Sequence, residues 1–316
     1  MTMPRLTGAL LEGRPTRLAP LHCGIMGAVT NHGRPALLST RRSRLAASAL
    51  GRRTHRVEQT IRTFTNWAPI LGRLGGGRRL SEAVTFRTRT GLNITCPNVP
   101  GARIPVYEIF AEDCYELESF LGPLAGRPIT VIDIGAHIGA FTCQLAATMP
   151  AASIYCFEPS ATTAGYLRRN IAANGFADRV SVEVAAVSDT SGWGTLADNG
   201  AGSALNGLIS DEASDAAATK VATTTFDDVV AAIDAPVDVV KIDCEGGEYD
   251  AVLASSPASW ASVSRVVLEY HPHATYGWPQ LRDWFAELGL VPIRESASSP
   301  EQGAAWLVRT DQPSSS

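Results

Sequence analysis

Four short stretches of this chain hold residues whose types and spacing suit chemistry. In Val131-Ile132-Asp133-Ile134-Gly135-Ala136-His137-Ile138-Gly139-Ala140-Phe141-Thr142, an apolar run meets Gly-x-x-x-Gly and then a helical pattern. Glycine allows a tight turn and a close backbone approach to a ligand, and the helix start offers free N–H donors. A pyrophosphate-binding turn wants G-x-G-x-x-G, a spacing that Ala136 and His137 break, and Asp133 would repel phosphates. A carboxylate here suits a ligand that carries an ammonium group. The second stretch, Cys156-Phe157-Glu158-Pro159-Ser160, puts an acid 19 residues after Gly139, where a strand-end carboxylate accepts hydrogen bonds from ribose hydroxyls. Glu158 alone does not separate one nucleoside cofactor from another.

The third stretch runs Val239-Val240-Lys241-Ile242-Asp243-Cys244-Glu245-Gly246-Gly247-Glu248. Asp243 is placed to position the ligand's amino-acid end or an acceptor, Glu245 is a candidate base, and Lys241 and Glu248 read equally well as structural ion pairs. The fourth, Glu269-Tyr270-His271-Pro272-His273, sets a histidine beside a carboxylate, a pairing that acts as a general base near neutral pH. A histidine that merely bonds its own loop is as good a reading of His271.

Positioning these groups takes alternating strands and helices, and the pattern supplies them. Strands are predicted over 129–134, 153–157, 180–187, 237–242 and 263–270, with helices over 140–148, 161–173, 226–233 and 246–255. Four of the five strands are nearly continuous apolar runs, as parallel strands covered on both faces are. The expected fold is α/β, a doubly wound Rossmann-like sheet with ligands at the carboxyl ends of its strands. A last helix over 278–288 and strands over 291–294 and 304–309 complete seven strands, the final pair antiparallel. Residues 199–218 read as an inserted loop. Upstream come one helical stripe over 57–71, a hairpin of 83–89 and 92–96, a loop over 97–105 and one or two helices within 106–121.

Taken together, the four stretches resemble the FkbM family of S-adenosylmethionine-dependent methyltransferases over roughly residues 83–310. The resemblance rests on the glycine turn, Glu158-Pro159, Asn170 and Asn174, Ala185-Ala186-Val187-Ser188-Asp189, Thr225-Phe226-Asp227-Asp228 and, above all, Lys241-Ile242-Asp243-Cys244-Glu245-Gly246. It implies a cofactor, S-adenosyl-L-methionine, held by Asp133, Gly135, Ala136, His137, Gly139, Phe141, Glu158, Pro159, Ser160, Ala186, Val187 and Asp243. Tyr107 to Phe110 and Tyr115 look like the family's entry segment, which implies that Glu108 and Tyr115 fold over the cofactor. The implied activity is O-methylation of a sugar, macrolide or other secondary metabolite. His271, Asp243 and Glu245, in that order, are the candidates to take the acceptor's proton. Asp243, Glu269 and His271 also suit Mg²⁺ or Mn²⁺, but carboxylates this near a cationic cofactor have another partner, and no metal is expected. N-methylation, a nicotinamide-dependent oxidoreductase and a nucleic-acid-directed methyltransferase are the alternatives. The oxidoreductase leaves Asp133 unexplained.

Charge is unevenly spread. Residues 1–90 hold 16 arginines, no lysine and three acids, whereas the whole chain has a net charge of −4. Residues 1–55 contain scattered prolines and glycines without sustained periodicity, and read as a disordered extension. No aromatic residue interleaves the arginines before Phe64, so a nucleic-acid partner is not expected. Residues 56–127 then form a helix, hairpin and cofactor-covering segment, 128–310 the catalytic domain, and 311–316 a disordered tail. The six cysteines show no CxxC spacing, which fits a reducing, cytoplasmic setting. No apolar run approaches ~18 residues, so no membrane partner is expected. The remaining partner is a small-molecule hydroxyl acceptor, with a homodimer left open.

Overall fold

The computed structural model describes residues 49–75, 82–197, 208–209 and 218–310. Of the extension expected to be disordered over 1–55, residues 1–48 lie outside the described residues, as do most of the 199–218 loop and the 311–316 tail, while residues 49–55 are helical instead.

The helical stripe forms two helices, α1 (Ala49–Thr63) and α2 (Trp67–Gly75), rather than one. Pro69 is the reason. It lacks the N–H that would bond Thr65, and its ring would clash with that carbonyl in a continuous helix. Thr65 instead donates its N–H to Arg87 O at 2.8 Å, and Asn66 bonds Thr85 O and Arg87 N through its side chain. These bonds tie the break to β1 (Ala83–Arg87), which pairs antiparallel with β2 (Asn93–Pro97). Helix α3 (Pro100–Phe110) begins inside the expected loop, with Pro100 in its first turn, where a missing N–H costs nothing. The short helix α4 (Leu117–Leu121) follows.

Then come β3 (Ile129–Ile134), α5 (Ala140–Thr148), β4 (Ala152–Phe157), α6 (Ala161–Ala173) and β5 (Val180–Glu183). After the small-sheet strands described below, the pattern resumes with α7 (Phe226–Ala232), β10 (Val239–Ile242), α8 (Glu248–Leu253), β11 (Arg265–Tyr270), α9 (Trp278–Glu287), β12 (Leu290–Ser299) and β13 (Gln302–Arg309). One seven-stranded sheet has the order β12-β13-β11-β10-β3-β4-β5. Its pairs are parallel from β11 to β5, and β13 runs antiparallel to both β11 and β12. Strand alternation divides the core into two layers. Val131, Val239, Val267 and Trp306 face α4 and α5, while Ile132, Val240, Leu268 and Leu307 pack with Phe226, Trp260 and Phe285 on the other side.

The predicted strand 180–187 divides at Val184 and Ala185. Its second part, β6 (Ala186–Ser188), joins a separate sheet of order β6-β9-β7-β8, with β7 (Gly192–Ala197), β8 (Leu208–Ile209) and β9 (Ala218–Thr225). Three residues of the expected inserted loop, Leu208 and Ile209 in β8 and Ala218 in β9, are therefore in strands. Its Gly-, Ser- and Ala-rich composition hides the pairing, because β8 is held by register with Leu196 and Thr195 rather than by local pattern.

Candidate functional site

The strand order reverses between β3 and β10, so helices leave the sheet on opposite faces there and open a crevice at the strand ends. Gly135 sits on that seam with φ +74°, and a Cβ on it would lie 1.8 Å from the Asp243 carbonyl oxygen. Only glycine lets the two strand ends approach so closely. Gly139, with φ +80°, starts α5 against Leu167 in the same manner. His137 (φ +51°) and Glu245 (φ +53°) adopt left-handed backbone without being glycine, one on each side of the crevice. Strain of this kind persists where surrounding contacts over-determine the backbone, often at ligand sites.

Glu158 lies at the end of β4, buried, with Oε2 accepting from His137 N and Oε1 from Ser160 N, each at 2.9 Å. Burial pushes its carboxyl up to about 7, against the lowering effect of those bonds. Each oxygen keeps a second lone pair for a ligand hydroxyl. Ser160 also caps α6, accepting from Thr163 N. Pro159 is half-buried between them. Ala136 and Gly135 donate their N–H groups to Phe157 O, which brings the glycine turn beside Glu158. Ala186 and Val187 are buried on β6.

Asp133 is fully buried. In register with Lys241 across the β3–β10 pair, it meets that ammonium at 3.3 Å and accepts from Thr142 Oγ1 at 2.6 Å. The ammonium contact expected from a ligand is thus made here by Lys241. That Nζ also donates to Gly135 O at 2.8 Å and lies 3.6 Å from Asp243 Oδ2. Burial disfavours its charge, but Asp133, Asp243 and Glu269 override burial and raise its pKa. Lys241 is therefore a clamp between the two strand ends.

Asp243, Glu245 and Glu269 stand at the ends of β10 and β11, and Glu108 on α3 lies near enough to feel the charges of Glu269 and Asp243. Tyr115, in the segment before α4, is buried edge-on against Phe141, with ring centroids 5.2 Å apart, and Trp306 Nε1 holds its carbonyl. Its hydroxyl donates to Glu269 Oε1 at 2.6 Å and reaches Asp243 Oδ2 at 3.3 Å. Burial, then the charges of Glu269 and Asp243, push Glu108 up to about 8. Burial raises Glu245 to about 8 and, with Asp243, Glu269 to about 7. For Asp243, burial is outweighed by Lys241, His271, His137 and the Tyr115 hydrogen bond acting together, which hold it below its ordinary value. Tyr107, by contrast, turns away into a third cluster with Phe64 and Phe86 and bonds Thr60 Oγ1.

His271 follows β11, nine-tenths buried. Its Nδ1 lies 3.3 Å from Glu248 Oε1 and its Nε2 3.7 Å from Glu245 Oε2. Glu248 is fully buried and also accepts from His271 N at 2.6 Å and Gly246 N at 2.9 Å. Burial opposes the imidazolium, but the Glu248 bond and the charges of Glu248, Glu245 and Asp243 push His271 up to about 10. Lys241 and Glu248, which the sequence left open to purely structural ion pairing, both belong to the site. The Gly246-Gly247 turn before Glu248 was the one local sign that its carboxylate folds back.

Strand order, glycine turn and strand-end acids together define a Rossmann-like α/β protein of the methyltransferase type. The methyltransferase FkbM domain matches residues 133–296, and the chain belongs to that family. The AMB antimetabolite synthetase AmbE of Pseudomonas aeruginosa is 26% identical over 202 residues, a match spanning 52% of this chain and 9% of that protein. The chain thus spans a small part of the length of this curated relative. Among solved structures, the METTL16 methyltransferase domain shares 13% identity, with 71% of this chain and 75% of that one covered and a TM-score of 0.44. An S-adenosylmethionine-dependent methyltransferase from Agrobacterium tumefaciens shares 11%, over 74% and 72%, with a TM-score of 0.42. The M. jannaschii TYW2 complex with AdoMet shares 15%, over 74% and 90%, with a TM-score of 0.39.

Proposed function

We propose that the protein transfers a methyl group from S-adenosyl-L-methionine to a hydroxyl of a small molecule. The observation that carries this reading is the crevice itself: Glu158 with free lone pairs at the end of β4, Asp243, Glu245 and Glu269 at the ends of β10 and β11, and Glu108 on α3 beside them. The donor set fits the cofactor. Glu158 suits its ribose, the glycine turn allows close approach, and Asp243, Glu245, Glu269 and Glu108 suit an ammonium and a sulfonium. When bound, the cofactor supplies a methyl group already activated toward a nucleophile.

The chain's own residues then align and deprotonate. Asp243 and Glu269, joined by the hydroxyl of Tyr115, whose buried ring packs edge-on against Phe141, hold their orientation. His271, Asp243 and Glu245 remain the candidates for taking the acceptor's proton. In the free protein His271 carries a proton at neutral pH, so it accepts one only after a neighbouring positive charge lowers its pKa. The family supports transfer of a methyl group, and the match to part of an antimetabolite synthetase supports a secondary-metabolite acceptor.

Calorimetric titration with S-adenosylhomocysteine and, separately, NAD⁺ tests the reading. Binding of the first alone, lost in Glu158→Ala, is expected. NAD⁺ binding without S-adenosylhomocysteine binding would return the site to an oxidoreductase.

A further inference from the structure

β10 and β11 run parallel with Ile242 opposite Leu268, so Asp243 and Glu269 leave the sheet side by side, and His271 follows two residues later. One ligand atom from each of these three side chains lies within 4.8 Å of the other two. Two carboxylates share one face here. Of the two, Asp243 is the one in an ion pair with Lys241, and the single Tyr115 proton spans the pair.

The histidine gives an independent indication. Its Nδ1 is held by Glu248, a carboxylate fixed by two backbone N–H groups. On binding a cation, the imidazolium gives up its Nε2 proton and keeps the one on Nδ1, so that Nε2 then presents a lone pair. Among the described residues no donor lies within hydrogen-bond reach of it, and the nearest opposite charge is Glu245 Oε2 at 3.7 Å. An imidazole oriented by a buried carboxylate on one nitrogen, and with a ring nitrogen within 4.8 Å of a ligand oxygen of each of Asp243 and Glu269, has the arrangement of a metal-ligating histidine.

We propose that Asp243, Glu269 and His271 bind one divalent cation, Mn²⁺ or Mg²⁺, which holds the acceptor's oxygens. This departs from the sequence-based expectation of no metal, rests on the methyl-transfer reading above, and gives Asp243 and Glu269 to the cation, which leaves Glu108 as the carboxylate for the cofactor's positive charge. Two carboxylate oxygens and one imidazole form a hard donor set. The nearby thiol of Cys244 points to Glu248 instead, at 3.8 Å. Three protein ligands leave three positions of an octahedron for water and for an acceptor with two adjacent oxygens, such as a vicinal diol. Coordination lowers the pKa of the acceptor hydroxyl, and its proton passes to Glu245, beside His271, once the charge of the bound cation has ionised that carboxyl. The resulting oxyanion lone pair forms the new O–CH₃ bond. The S–CH₃ bond breaks with its electron pair left on sulfur, giving S-adenosylhomocysteine. His271 is then a ligand, and Glu245 takes the role of base.

The test is Mn²⁺ titration of the full, EDTA-stripped chain, followed by the loss of the free-ion EPR signal, with and without S-adenosylhomocysteine. One Mn²⁺ per chain is expected, with affinity at least ~10-fold weaker in Glu269→Gln, Asp243→Asn and His271→Ala. Glu248→Gln, which touches no metal, should weaken it ~10–100-fold if it orients the ligand. Absence of Mn²⁺ binding by folded wild-type protein, or equal binding by the ligand variants that remain folded, overturns the inference. Calorimetry on the same samples separates the two readings. S-adenosylhomocysteine bound without Mn²⁺ removes the metal alone, and Mn²⁺ bound without S-adenosylhomocysteine removes the methyl donor alone.

Discussion

Burial and crowding give the crevice residues proton affinities unlike those of free side chains, and this makes stability depend on pH. Glu108 and Glu245 are raised to about 8 and Glu269 to about 7, so between their ordinary carboxyl range and those values the folded chain holds more protons than the unfolded one. His271, raised to about 10, acts with the same sign above its ordinary range. Unfolding therefore releases protons, and stability falls as pH rises. The melting temperature of EDTA-treated free protein should decline from pH 6 to pH 9, and Glu245→Gln should flatten the decline in scanning calorimetry. A melting temperature that rises over this range would mean the carboxyls are ionised and separately compensated. Turnover should drop ~10²–10⁴-fold in His271→Ala while S-adenosylhomocysteine affinity stays nearly intact, a split read by steady-state kinetics beside calorimetry.

At the scale of elements, the two asparagines noted only as points of resemblance have a mechanical task. Asn170 and Asn174 lie one turn apart on and just beyond α6, and they face Asn93 and Thr95 on β2. The ~6 Å rise of four helical residues matches the ~6.6 Å between alternate strand residues. Asn170 accepts from Thr95 N and donates to Thr95 O and Ile138 O, and Asn174 makes the equivalent pair with Asn93. Each side chain completes backbone hydrogen bonding along the strand's free edge. Asn170→Ala leaves two carbonyls and one N–H without this partner, at a cost of about 1–3 kcal/mol. The expected result is a lower melting temperature and faster proteolysis at the β1–β2 hairpin, before any loss in α6. Asn170 and Asn174 were visible in the sequence, but nothing local revealed that the hairpin docks on them.

For the whole molecule, the third core cluster joins the N-terminal layer to the sheet domain. Phe64, Ile70, Phe86, Ile94 and Val106 pack with Ile138 and Cys143, which belong to the glycine turn and α5. Tyr115 adds a second bond to the sheet through Trp306. A single unfolding transition shared by both parts is expected, and fluorescence and far-UV dichroism should report the same midpoint. Two separated transitions would show that the layers fold independently. Among the described residues no helix is long and apolar enough to cross a membrane.

Much of this protein was written locally. Nearly continuous apolar runs marked the buried parallel strands, because a strand covered on both faces has no polar side. Gly135 and Gly139 marked the turn, because positive φ and close approach exclude a Cβ. Glu158, Asp243 and His271 were legible as strand-end groups, because doubly wound sheets open there. Tertiary structure decided the pairings. Asp133 meets Lys241 only because β3 and β10 lie in register, and Glu248 orients His271 only because the Gly246-Gly247 turn returns it to β11. The small second sheet depends likewise on partners distant in sequence. Propensity and spacing act over a few residues, whereas charge pairing, burial and the proton affinities that follow depend on which strand lies next to which.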